Sequence, residues 1–135
     1  MKNLETVQAI YQAFGKGDVP FIVSKASDDV KWEAWADNTA VKSGKVPYLK
    51  TRFGKAGVAE FFASMAAIEI RAFQVHNLLE GGNQVVATAS IELTVKATGK
   101  VLRDEELHLW TFDERGEVIG FRHYVDTAKH IDANT

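Results

Sequence analysis

The chain has 135 residues, of which 46% are hydrophobic and 25% charged, and its 16 basic and 18 acidic side chains leave a net charge of −2. That length suits one domain over residues 1–135 and excludes two ordinary ones. The charge balance excludes a general nucleic-acid binder, which needs a clustered basic surface. The absence of cysteine excludes a disulfide framework, a thiol nucleophile and a zinc–thiolate site. Apolar runs are too short for a membrane span, and Met1–Glu5 lacks the apolar core of a secretory signal. Together these features predict a cytoplasmic protein.

The first segment reads as a helix, because Leu4, Val7, Ile10, Tyr11 and Phe14 recur at helical spacing. Gly15-Lys16-Gly17 ends it. Asp18 then caps a second helix with Pro20 in its first turn and Val19, Ile22, Val23 and Ala26 as its apolar stripe. Ser27-Asp28-Asp29 is expected to stop this helix, and a short strand from Val30 to Trp35 to follow. Residues 37–53 show no period and read as a loop into which Val46, Tyr48 and Leu49 tuck. A third helix is predicted over 55–67, with Val58, Phe61, Phe62 and Met65 on its apolar face.

Three turn signals, Gly81-Gly82-Asn83, Thr98-Gly99 and Asp113–Gly116, divide the second half into strands at 68–79, 84–96, 100–112 and 117–126. Such short turns require antiparallel neighbours, so these strands form a meander. Helices first and a long meander second define an α+β layout with helices on one sheet face.

This order of elements, with Gly17-Asp18, Asp28-Asp29, Phe53-Gly54-Lys55 and the ending Gly120–Asp126, resembles the SnoaL-like branch of the nuclear transport factor 2-like superfamily. The ending also resembles the last strand of limonene epoxide hydrolase. The resemblance implies a cone: a curved sheet wrapped on three helices, an apolar pocket, and a homodimer across the outer sheet face. Position by position, the helix-one tyrosine of the steroid isomerases falls on Ile10 and their general base on Ala34. Their second acid falls on His108. The last aspartate of the epoxide hydrolase triad falls on His123 and the first on Glu92, while its arginine falls on Ser90.

Strand alternation then sorts the candidates. Glu92 shares a face with Thr88, Ser90 and Thr94; by alternation alone that face meets water or a partner, whereas the resemblance turns Glu92 into the pocket. Glu106, His108 and Trp110 share one face of the third strand. Phe121, His123 and Val125 share one face of the last, and Arg122, Tyr124 and Asp126 the other. Trp32 and Trp35 point to opposite sides, with Trp32 the better pocket residue. His123, Glu92 and His108 are thus the expected catalytic groups, and Trp32, Glu106, Trp110 and Phe121 the expected ligand contacts. The four histidines show no metal-ligand spacing and no glycine-rich phosphate loop is present, so neither metal nor cofactor is expected.

Two functions follow from this reading. One is acid/base chemistry, namely isomerisation, cyclisation or hydration, on a small apolar carbonyl or ring compound. The other is binding of an apolar metabolite without turnover. A homodimer is expected if residues such as Leu107 and Leu109 face outward.

Overall fold

A computed structural model of the protein describes residues 2–135. Helix α1 (Asn3–Gly15) buries Val7, Ile10 and Ala13, the stripe that its period requires. Helix α2 (Val19–Ser24) starts where the Asp18 side chain accepts the Phe21 N–H at 3.2 Å. It is shorter than expected. Ala26 already belongs to strand β1 (Ala26–Trp32), and Ser27-Asp28-Asp29 lies inside that strand rather than breaking the chain. The acidic pair projects outward while Val30 and Trp32 point into the core.

The segment 37–53 is more ordered than its sequence predicts. It holds a short helix α3 (Thr39–Ser43), capped by Asn38, and strand β2 (Arg52–Phe53). Val46, Tyr48 and Leu49 are buried, as anticipated. Helix α4 (Gly54–Ser64) continues into a 3-10 turn at Met65–Ala67. Gly57 lets this helix press on β2, since a Cβ there would sit 3.0 Å from the Arg52 Cβ.

The meander comprises β3 (Ile68–Gly81), β4 (Gln84–Val95), β5 (Val101–Phe112) and β6 (Val118–Tyr124). All six strands form one sheet in the order β2-β1-β6-β5-β4-β3. The β1–β6 contact is parallel and the others antiparallel. The last strand stops at Tyr124, two residues early, because Asp126 accepts the Lys129 N–H and caps a further helix, α5 (Thr127–Ala133). The architecture is the expected α+β one: a curved, unclosed sheet covered on one face by helices, although with five α-helices rather than three. Among the described residues no helix is long and apolar enough to cross a membrane.

One face of the sheet is buried by near-strict alternation. On β5, residues 102, 104, 106, 108, 110 and 112 are buried, and on β4 so are 85, 87, 89, 93 and 95. The β4–β5 register runs unbroken from Gln84↔Thr111 to Thr94↔Val101, so the inward parity on one strand fixes it on the other. Bulges occur on β3, where two register shifts bend the strand.

Candidate functional site

The concave face and helices α1, α2 and α4 line a partly open cavity of about 70 Å³. Its wall is largely aromatic. Trp32 stacks on Phe121 with ring centres 4.2 Å apart, and their backbones are neighbours in the β1–β6 register. Phe61 packs on Trp32 from α4, and Phe73 stacks on His108 from β3. Trp110 meets Phe121 at 4.4 Å. Burying rings of this size contributes about 1.5–3 kcal/mol each, so the same side chains that line the cavity also hold the fold together.

Two histidines face each other at one end. His108 on β5 is opposite His123 on β6, and their rings meet edge-on at 4.8 Å. His108 is 4% exposed and both its nitrogens are engaged. Trp110 Nε1–H donates to the Tyr11 hydroxyl at 3.0 Å, which lies 2.5 Å from His108 Nδ1. His108 Nε2 lies 2.7 Å from Glu106 Oε1. Read as a chain of donors, this arrangement is complete with a neutral imidazole: Trp110 N–H to Tyr11, Tyr11 O–H to Nδ1, Nε2–H to Glu106. Burial lowers the His108 pKa and outweighs the pull of Glu106, consistent with that form. Burial also raises the Tyr11 phenol well above its usual range, so it stays protonated. Glu106 stays charged: burial alone would raise its pKa, but the His108 hydrogen bond and the fields of His123, His108 and His130 bring it below the usual value.

His123 is held differently. Its Nδ1 lies 2.9 Å from Glu33 Oε1, and the same oxygen accepts the His123 backbone N–H at 2.6 Å. Nδ1–H therefore points at Glu33, while Nε2 makes no hydrogen bond among the described residues. Burial opposes charge on this ring, yet the adjacent Glu33 carboxylate more than compensates and raises its pKa. The two facing histidines are thus driven in opposite directions, His108 down by burial and His123 up by Glu33.

Glu33 was not legible from alternation. It follows β1 and adopts φ +56°, the one non-glycine residue with positive φ among those described. That twist turns its side chain inward, next to the inward Trp32, and leaves it 0% exposed. Trp35 then lies outside the cavity, where Arg122 covers its ring and Tyr124 packs edge-on. Tyr11 was visible only as a helix-stripe residue. The resemblance places the isomerase tyrosine position at Ile10, and the side chains of both Ile10 and Tyr11 line the cavity.

Glu92 is a correction. It lies on the outer face, paired across the strands with Arg103, whose Nε donates to it at 2.6 Å. It does not meet His123. The inward residue at that level is Ile91, because the uninterrupted β4–β5 register holds the odd-numbered residues of β4 to the concave face. Trp32, Glu106, His108, Trp110, Phe121 and His123 are all brought to the cavity.

Glu106, His108 and His123 place one ligand-type atom each within 4.8 Å of one another, as do Asp104, Glu106 and His130. In this structure the imidazole nitrogens of His108 and His130 already serve Glu106, Asp104 and two tyrosines as hydrogen-bond partners. We therefore assign both groups to hydrogen-bond networks.

The family model for the SnoaL-like domain matches residues 7–120. The chain belongs to the SnoaL-like family. Solved structures share the fold. An NTF2-like protein of unknown function from Burkholderia pseudomallei superposes with a TM-score of 0.80 at 23% identity, over 100% of this chain and 99% of that one. TerC co-crystallised with polyporic acid gives 0.76 at 24% identity, over 98% and 97%. A computationally designed 17-OHP binder gives 0.68 at 14% identity, over 92% of each chain. No curated protein matches the sequence significantly.

Proposed function

We propose that this SnoaL-like protein binds a small apolar carbonyl or ring compound and rearranges it by proton transfer at His123. The observation that carries this reading is one imidazole with a buried carboxylate on Nδ1 and an unbonded Nε2 at an aromatic cavity. Glu33 fixes the tautomer and stabilises the cation that forms when Nε2 takes a proton. In an isomerisation, Nε2 removes a proton from the carbon beside a carbonyl, an enolate forms, and the imidazolium returns the proton to another carbon. No proton is lost or gained overall. The apolar wall strengthens each of these interactions by excluding water. His108 and Glu106 serve as the second polar group, with Glu106 supplying negative charge near the developing imidazolium.

Ligands on neighbouring structures support the pocket half of this reading: polyporic acid was crystallised with TerC, and the designed relative binds 17-OHP. A thermal-shift screen of small ketones and ring compounds, followed by mass spectrometry and NMR of the recovered ligand, tests it. Stabilisation plus a new isomer or mass supports turnover. Stabilisation with the ligand unchanged for every binder supports the alternative, a non-catalytic binding protein.

The outer face of the sheet belongs to the same proposal. Leu79, Val101, Leu107 and Tyr124 are exposed there, with Leu109 half-buried among them. We read this as the contact between two copies, which is checked by a solution mass of twice 14.9 kDa.

A further inference from the structure

We propose that Arg122 and Thr51 are positioning residues: they hold the strained bend at Glu33, and through it aim the carboxylate that orients His123. The inference rests on the reading of Glu33 and His123 as the working pair and adds what keeps that pair together.

Glu33 is the weak point of the site. Its φ of +56° is unfavourable for a residue with a side chain, because the Cβ crowds the following carbonyl oxygen. Such a conformation persists only where surrounding contacts over-determine it. Without the bend, alternation along β1 would send the Glu33 side chain to the face opposite Trp32. The carboxylate would then leave His123.

Four consecutive residues of β6 grip the bend. The Phe121 carbonyl accepts the Glu33 N–H at 2.9 Å. Arg122 Nη2 donates to the Ala34 carbonyl at 2.8 Å, and its guanidinium lies 4.8 Å from the centre of the Trp35 ring. His123 donates to Glu33 Oε1 from both its backbone and Nδ1. Tyr124 packs edge-on against Trp35 at 4.5 Å. A fifth anchor comes from the residue before β2: the Thr51 hydroxyl donates to the Glu33 carbonyl at 2.7 Å, which also accepts the Trp35 N–H at 3.1 Å. Arg122 and Thr51 act through side chains that do not line the cavity. Substituting either one loosens the grip and leaves the aromatic wall in place.

NMR titration of His123 tests this without a substrate. The titratable groups facing its ring are Glu33 beyond the end of β1 and Glu106 and His108 on β5. Removing a cation from the neighbourhood of an imidazole raises its pKa, whereas loosening a carboxylate from it lowers the pKa. A purely electrostatic role for Arg122 and a positioning role therefore predict opposite signs. We expect the His123 midpoint to fall by about half a pH unit in Arg122→Met, and its amide proton, which donates to the same carboxylate, to move upfield. Thr51→Val changes no charge and moves both signals the same way, and Thr51→Ser restores them. Thr51 is exposed, so Thr51→Val keeps the fold even if Arg122→Met does not. With a substrate that is turned over, kcat falls about ten- to a hundredfold in Arg122→Met while KM stays within about twofold. A His123 midpoint that is unmoved or raised in either folded variant overturns the inference, as does a failure of Thr51→Ser to restore it. If the midpoint falls as expected but no compound is ever transformed, the proposed function fails and the positioning role stands. If a compound is transformed through His123 while the midpoint stays put, the positioning role alone falls.

Discussion

Strand β5 carries two hydrogen-bonded chains of the same design, two residues apart. In one, Trp110 N–H meets Tyr11, Tyr11 meets His108 Nδ1, and His108 Nε2 meets Glu106. In the other, the Asn134 amide donates to Tyr48, Tyr48 lies 2.9 Å from His130 Nδ1, and His130 Nε2 lies 3.0 Å from Asp104. Both histidines are buried, and burial lowers both pKa values. Burial also pushes the Tyr48 phenol up to about 12. What differs is the neighbour. Asp104 accepts the Asp126 backbone N–H and so ties β5 to the start of α5, and His130 is not among the residues that line the aromatic cavity. The first chain faces His123, whose Nε2 is unbonded. The same Tyr–His–carboxylate triplet is therefore a clamp in one place and part of the wall of the proposed site in the other, and access rather than residue type makes the distinction.

The sharpest way to break this comparison is to remove the imidazole with the unbonded nitrogen. His123→Ala should lower turnover of any substrate found by about a hundred- to ten-thousandfold, the range for losing a general acid or base. Binding of that substrate should fall little, because the aromatic wall stays. Turnover within a factor of a few of wild type, measured under saturating conditions, would sink the assignment.

The second expected effect is at Glu33. Glu33→Gln removes the charge that raises the His123 pKa, so His123 should titrate lower, as followed by imidazole NMR. Since the base is the neutral imidazole, activity rises with pH through that pKa. The rising limb in the wild type should lie above the ordinary histidine value of about 6.5 and move down in Glu33→Gln, with a plateau about tenfold lower. Linkage gives the matching stability statement. With its folded pKa raised, His123 contributes stability that is fully present below its unfolded pKa and is lost as pH rises through the folded value. His108 and His130 have the opposite sign: unfolding takes up their protons first, so their contribution disfavours folding as pH falls below about 6.5. An unmoved rate limb in Glu33→Gln would show that another group sets the profile.

Cutting the sealed chain should produce the converse phenotype. His130→Ala empties a buried site and takes one hydrogen bond each from Tyr48, which keeps Asn134, and Asp104, which keeps the Asp126 N–H, and should cost about 3 kcal/mol. For a domain of this size that lowers Tm by about 10 °C. At a temperature where the variant is folded, ligand affinity and turnover should match the wild type. A loss of turnover with the fold intact would mean that the two chains work as one.

The contrast also explains what the sequence revealed. The period on α1 and the alternation on β5 and β6 placed Glu106, His108, Trp110, Phe121 and His123 on their correct faces, because regular strands transmit parity without error. Glu33 was hidden because positive φ at a single residue breaks alternation, and no pattern in Lys31-Trp32-Glu33-Ala34 announces it. The His130 clamp was hidden because α5 is seven residues long, less than two full turns, which is too short to display a period. Tyr48 lay in a segment whose order comes from tertiary contacts, with α3 packed against α5 rather than repeating any local motif.

The smallest expected effect is at Glu92, and it separates a face read by counting from relatives from a face read by register. Arg103 is three-quarters exposed and Glu92 about one-third, so their ion pair is well solvated. Exposed pairs of this kind contribute about 0.2–1 kcal/mol and are screened by salt. Glu92→Gln should therefore shift Tm by about 3 °C or less in a domain of this length, and the shift should shrink in high salt. Turnover, ligand affinity and the His123 titration should all stay at wild-type values, because Ile91, not Glu92, occupies the cavity wall at that level. A change in the His123 titration on this substitution would require β4 to sit one residue out of register, which would also carry Ala87 and Ala89 out of the core and expose Thr88 and Ser90 to it. Hydrogen exchange on β4 would report that shift independently of any activity, since the order of protected amides along the strand would change with it.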